Sequence, residues 1–269
     1  MANPFLNDKS MEKAAQAGWA APEPSTDVRS TPIDDGPIST WNPRVMTVSG
    51  TMTATGVLFV ILLVSAVFGW NSTIELAEGA GVSLPGLAIV GTLVGFVCAI
   101  VVAFKPMLAR VLGPIYAVAQ GFFLGAISKA YNVRFDGIVV QAVGATLAVF
   151  LVMLVLYRTR IIKVTNKFRR NIIMATIGLM VFYFVSIVLS LFGVDVRFID
   201  SPSPLGIAFS IFAAGLAAMN LALDFDFIER GAANKLPKGM EWFAAFGLLI
   251  TLVWLYLELL RLLSKLNRN

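Results

Sequence analysis

Seven apolar stretches of about 20 residues each follow one another between residues 51 and 263, separated by short charged connections. A helix needs that length to cross the hydrocarbon core of a bilayer, because each residue advances it by only about 1.5 Å. Inside lipid a backbone must satisfy its own hydrogen bonds. A β-barrel would do so with alternating apolar and polar residues, whereas these runs are continuous, so they are read as helices. The predicted helices cover 51–70, 84–104, 111–130, 137–157, 172–194, 205–227 and 242–263. The expected fold is therefore an all-α membrane protein, a bundle of seven transmembrane helices. Composition agrees: 14% of the residues are charged and 58% are hydrophobic, against roughly a quarter charged in soluble domains.

Residues 1–45 are polar and rich in Pro, Ser, Asp and Lys. They lack the apolar content to form a core and are expected to be a disordered cytoplasmic tail, with the transmembrane domain covering 46–269. Lying behind this tail, the first apolar stretch is not expected to be a cleaved signal peptide. The single cysteine, Cys98, excludes an intramolecular disulfide and a Cys-based metal cluster. The absence of histidine excludes a His switch, base or metal ligand, so any proton-coupled chemistry falls to carboxylates.

The net charge of +5 reflects topology, and no nucleic-acid partner is expected. The connections after the second, fourth and sixth stretches hold eleven cations: Lys105, Arg110, Arg158, Arg160, Lys163, Lys167, Arg169, Arg170, Arg230, Lys235 and Lys238. Those after the first, third and fifth hold Arg134 and Arg197, with Lys129 at a helix end, and the acids Glu75, Glu78, Asp136, Asp195 and Asp200. Cations favour the cytoplasmic side, which places the N-terminus inside and, after seven spans, the C-terminus outside. Arg261, Lys265 and Arg268 oppose that last step. A re-entrant final segment, leaving six spans, is the alternative.

Small residues recur at the spacing that lets helices approach closely, Gly91 with Gly95 and Gly121 with Gly125, and are read as packing faces. Pro85, Pro114 and Pro204 fall near expected helix starts, where a missing N–H is harmless.

Ionisable groups at membrane depth are the functional candidates. The densest cluster is Asp224, Asp226 and Glu229 at the end of the sixth stretch. Asp226 and Glu229 share a helical face, and Asp224 points about 160° away from Asp226. Acids there oppose the helix dipole, which favours a purpose over an ordinary hydrated helix end. Two close carboxylates cannot both ionise cheaply, and their oxygens, with help from Glu229, could hold a hard cation, so Asp224 and Asp226 are also the candidate cation ligands. Glu258 is a second candidate; its bland alternative is a local pair with Arg261. Gln120 and Asn220 are read as interhelical hydrogen-bonding groups. Lys105 and Arg110 could neutralise the sixth-helix acids, but an ordinary topology signal explains them better. No phosphate loop, metal-ligand spacing or nucleophile elbow occurs, and no enzymatic activity is expected.

The stretch from Pro114 to Gly125, PIYAVAQGFFLG, resembles the third-helix motif of the Bax inhibitor-1/YccA-like family. The run NLALDFD from Asn220 to Asp226 resembles its sixth-helix aspartate motif, and 247–263 its seventh helix. The likeness covers roughly residues 50 to 265 and is nearest to a bacterial branch. The resemblance implies a bundle with the last helix central, in a bacterial plasma (inner) membrane. It also implies a pH-sensitive calcium leak sensed by one aspartate in helix 6 and one in helix 7. Asp226 best matches the first, with Asp224 as the other possibility. Thr251 stands where the second aspartate is expected, and Gln120 stands at the family's third-helix glutamate.

The leading expectation is therefore a calcium leak with Asp226 as sensor, lipid as surroundings, calcium or protons as transient partners and no resident cofactor. The alternative is a non-conducting regulator that binds other membrane proteins, such as quality-control proteases.

Overall fold

A computed structural model describes residues 45–75, 82–83, 85–193 and 201–268. The expected tail lies outside the described residues except for Val45, as do Glu78, Asp195, Arg197 and Asp200. Among the described residues seven helices are long and apolar enough to cross a membrane: α1 (Val48–Ser72), α2 (Gly86–Phe104), α3 (Ala109–Arg134), α4 (Ile138–Arg158), α5 (Asn166–Leu191), α6 (Pro204–Ala233) and α7 (Met240–Leu266). The seven-helix bundle inferred from hydropathy is the fold. A two-residue antiparallel pair, β1 (Ile74–Glu75) and β2 (Val82–Ser83), joins α1 to α2.

Three helices start on side-chain caps. Thr47 accepts from the Gly50 N–H (3.0 Å), Thr165 from Phe168 (3.2 Å) and Ser203 from Gly206 (3.2 Å). Each supplies an acceptor to the otherwise unpaired first turn. The cap at Thr165 starts α5 six residues before the apolar stretch does, because Lys167–Arg170 are good helix formers that hydropathy excludes. Helix α6 likewise runs on to Ala233, so the acid cluster is an internal helical turn and not a fraying end. Pro204 opens α6 and Pro85 caps α2, as expected of proline. Pro114 is a correction. Helix α3 begins at Ala109 behind a short 3-10 turn (Pro106–Leu108), which leaves Pro114 inside the helix, where it cannot donate to the preceding turn.

Helix α7 is the centre of the bundle. Within its most apolar stretch 61% of residues are buried, against 6% in α5, which lies at the edge. It packs on α1 and α3 through Phe246, Leu249 and Val253, and on α4 and α6 through Leu248 and Leu255. The re-entrant alternative does not hold, since α7 is one continuous helix of 27 residues. The three cations that prompted it are engaged. Lys265 is 1% exposed and donates to the Gly206 carbonyl (2.8 Å) and Ser210 Oγ (2.7 Å) at the start of α6. Arg261 pairs with Glu258, and Arg268 lies over the Phe135 ring. They are held by tertiary contacts, which weakens them as topology signals.

Close backbone approach explains the glycines of α3. A β-carbon at Gly125 would overlap the Ala66 carbonyl of α1, and one at Gly121 the Leu62 carbonyl. On α2, Gly91 admits the Ala119 backbone and Gly95 the Gln120 amide. Gly125→Leu is expected to cost at least about 3 kcal/mol, because helix backbone cannot yield as a side chain does. Gly144→Leu, where nothing lies within 4 Å, is expected to be nearly neutral. Unfolding of the two variants in detergent checks the contrast.

Candidate functional site

The acid turn of α6 splits in two directions, as helical spacing requires. Asp226 faces α5 and Asp224 faces α7. Asp226 is 4% exposed although it carries a full carboxylate. Its Oδ2 accepts from Arg169 Nη2 (2.5 Å) at the start of α5, and its Oδ1 from Arg230 Nε (2.9 Å) one turn further along α6. Arg230 also donates to the Val164 carbonyl (3.0 Å) in the α4–α5 connection. Two cations on one buried carboxylate make strong, charge-assisted bonds.

Glu229, on the same face as Asp226, extends the network to α4. It accepts from the Tyr157 hydroxyl and from Arg160 Nη2 (2.6 Å). The face thus ties the end of α6 to the end of α4 and the start of α5. The cations that reach these acids are Arg160, Arg169 and Arg230. Residue type alone signals only the Asp226–Arg230 pair, four apart on one helix; the others join residues 57 and 69 apart.

Asp224 lies against Gly247 and Thr251 of α7. Its Oδ2 is buried and has no hydrogen-bond partner among the described residues. The Thr251 hydroxyl donates to the Gly247 carbonyl (3.2 Å), so the polar patch between α6 and α7 holds one carboxyl, one hydroxyl and a glycine. A buried polar oxygen without a partner is costly and rare in a native core. A cation beside it would satisfy it, and a proton on it would remove its charge.

Glu258 sits elsewhere. It is 2% exposed and accepts from Tyr183 (2.8 Å), Trp254 Nε1 (3.2 Å) and Arg261 (3.0 Å). Arg169 and Tyr183 are fourteen residues apart on α5, so the two carboxylate networks are separated by about 21 Å along that helix. Asn220 bonds Thr176 of α5 (2.9 Å) and the Leu216 carbonyl (2.9 Å). Gln120 fills the notch of Gly95, and Gly121 and Gly125 receive α1.

Asp224 and Asp226 do not converge on one point. Among the described residues no group of three His, Cys, Asp or Glu side chains is placed to hold a metal ion. Both Asp226 oxygens are occupied by arginines, whereas calcium needs six to eight oxygen ligands.

One further carboxylate escaped notice in the sequence. Glu241, 5% exposed at the start of α7, accepts from both the N–H and the hydroxyl of Thr47 (2.9 Å each), at the N-terminus of α1. An anion is favourable at that helix end. The adjacent Met46 N–H donates to the Leu236 carbonyl (2.7 Å) and Val45 bridges Pro237. No local signal links residues 194 apart.

No curated protein matches the chain. A family model described as Bax inhibitor 1 like matches residues 3–268.

Proposed function

The chain belongs to the Bax inhibitor 1-like family, and from that membership we propose that it is a non-enzymatic, pH-dependent calcium leak of a bacterial plasma membrane, with its N-terminus cytoplasmic. The observation that carries the reading is the division of labour on one turn of α6: Asp226 bound by two arginines, and Asp224 turned toward α7 with an unpartnered oxygen. In this reading Asp226 and Glu229 form a latch. Ionised, they hold α6 to Arg160 and Arg169 and keep the bundle closed. A proton on Asp226 would cancel the charge that both arginines read, so acidification opens the latch. Asp224, Thr251 and Gly247 then line the path between α6 and α7. Thr251 stands where the resemblance expects an aspartate of helix 7, and its hydroxyl serves as an oxygen ligand but carries no charge to titrate.

Calcium flux into proteoliposomes tests the proposal. Flux is expected to rise as pH falls, and Asp224→Asn is expected to reduce it at every pH. Absence of flux from wild-type protein at all pH values would refute it. The orientation is tested separately: a reporter active only in the cytoplasm is expected to report at the N-terminus and to be silent when fused after Asn269.

A second reading, a non-conducting regulator that binds other membrane proteins, is favoured by α5. Its outward face carries Ile173, Ile177, Val181 and Phe184, all exposed. A stoichiometric membrane partner recovered with a flux-silent protein would favour it.

A further inference from the structure

A groove lies between the ends of α1, α4 and α6. Its volume is about 110 Å³, well below the ~300–1,000 Å³ of a pocket for drug-sized solutes. Met52, Leu154, Phe225 and Ile228 give it an apolar floor, and Arg158 and Glu229 stand at its rim. Its depth in the membrane follows from the helices. The groove is lined by Val48, the first residue of α1, and by Arg158, the last of α4. It therefore sits where hydrocarbon gives way to headgroups.

We propose that this groove binds an anionic phospholipid, with a segment of an acyl chain on the apolar floor and the phosphate at Arg158. Three features define the occupant. Met52 and Leu154 in its lining are apolar and partly exposed, which suits part of an acyl chain and not a free ion. The rim cation, Arg158, is exposed, and a guanidinium matches phosphate in a two-pronged geometry. The surrounding field is positive: the thirteen residues from Arg158 to Arg170 hold six cations and no acid. Glu229 offsets Arg160 and Asp226 offsets Arg169, which leaves Arg158, Lys163, Lys167 and Arg170 as the positive charge of this segment. A phosphate at the rim also lies next to the Glu229–Arg160 pair, so lipid composition reaches the same turn of α6 that carries Asp226.

The test reads lipid retention and needs no ion flux, so it stands or falls independently of the leak. Full-length protein is released from nanodiscs of equal phosphatidylcholine and phosphatidylglycerol, and retained lipid is counted by native mass spectrometry. Phosphatidylglycerol is expected to be retained preferentially. Arg158→Gln is expected to lower that preference about fivefold, the worth of one cation of ~1 kcal/mol near an anionic surface. Met52→Trp, which fills the floor without changing charge, is expected to lower retention as well. Arg170→Gln is expected to change little. Equal retention of both lipids overturns the proposal. So does an equal loss in Arg158→Gln and Arg170→Gln, which would mean a diffuse positive field, or full retention in Met52→Trp, which would mean the groove is not used.

Discussion

Asp226→Asn is expected to conduct calcium at neutral pH as freely as wild type does in acid, and to lose most of its pH dependence. The amide keeps the size and shape of the carboxylate but not its charge. Arg169 and Arg230 both aim at that charge, from 2.5 and 2.9 Å. The guanidinium side chains are 39% and 48% exposed, so water screens part of what a fully buried pair would contribute. A total of about 2 kcal/mol is reasonable, which shifts the balance of closed and open forms roughly 30-fold. The sign follows from the proposed latch: the charge-assisted bond from Arg169 holds α6 against α5, so removing the charge favours the open form. Flux measured across the pH range in proteoliposomes decides it. A variant with wild-type flux and wild-type pH dependence would remove Asp226 from gating, whatever Asp224 does.

Glu258→Leu is expected to produce the largest loss of stability among single changes to the charged residues. Three donors converge on this carboxylate, from Tyr183, Trp254 and Arg261. Removing one member of a buried, hydrogen-bonded charge network costs about 3–5 kcal/mol, since the remaining polar groups stay in the core. Glu258→Gln keeps an acceptor for the phenol and the indole and is expected to cost only about 1–2 kcal/mol. Denaturant unfolding in detergent micelles, followed by tryptophan fluorescence, separates the two. Equal losses in both variants would mean that charge, and not hydrogen bonding, organises this end of α7.

The parts of the molecule legible in the sequence share one property: they depend on a single helix meeting lipid. Length and hydropathy sufficed for α1 to α7 because a bilayer imposes the same demand on each. Gly121 and Gly125 were readable as a packing face because the spacing alone allows close approach. The opposed directions of Asp224 and Asp226 followed from a rotation of 100° per residue. The helix ends were less legible. Hydropathy stops at Phe227 and resumes at Ile172, but capping and charged helix formers carry α6 and α5 well past those points. The role of Lys265 was misleading for a related reason: a cation counts as a loop charge until a partner helix buries it.

Which groups meet across the bundle is a different kind of fact. Glu241 with Thr47, Arg169 with Asp226, and Tyr183 with Glu258 join positions far apart in the chain, and no spacing rule reaches that far. The sequence alone determined that these residues lie in seven membrane-spanning helices and which face of its own helix each occupies, because helical geometry and the cost of exposing backbone to lipid act locally. Only the tertiary structure decided that one aspartate of α6 is held by two arginines while its neighbour two residues earlier turns to the central helix with an oxygen unsatisfied. That choice depends on how seven helices rotate and slide against one another, and it is set by the sum of many contacts, none of which is encoded at the two aspartates themselves.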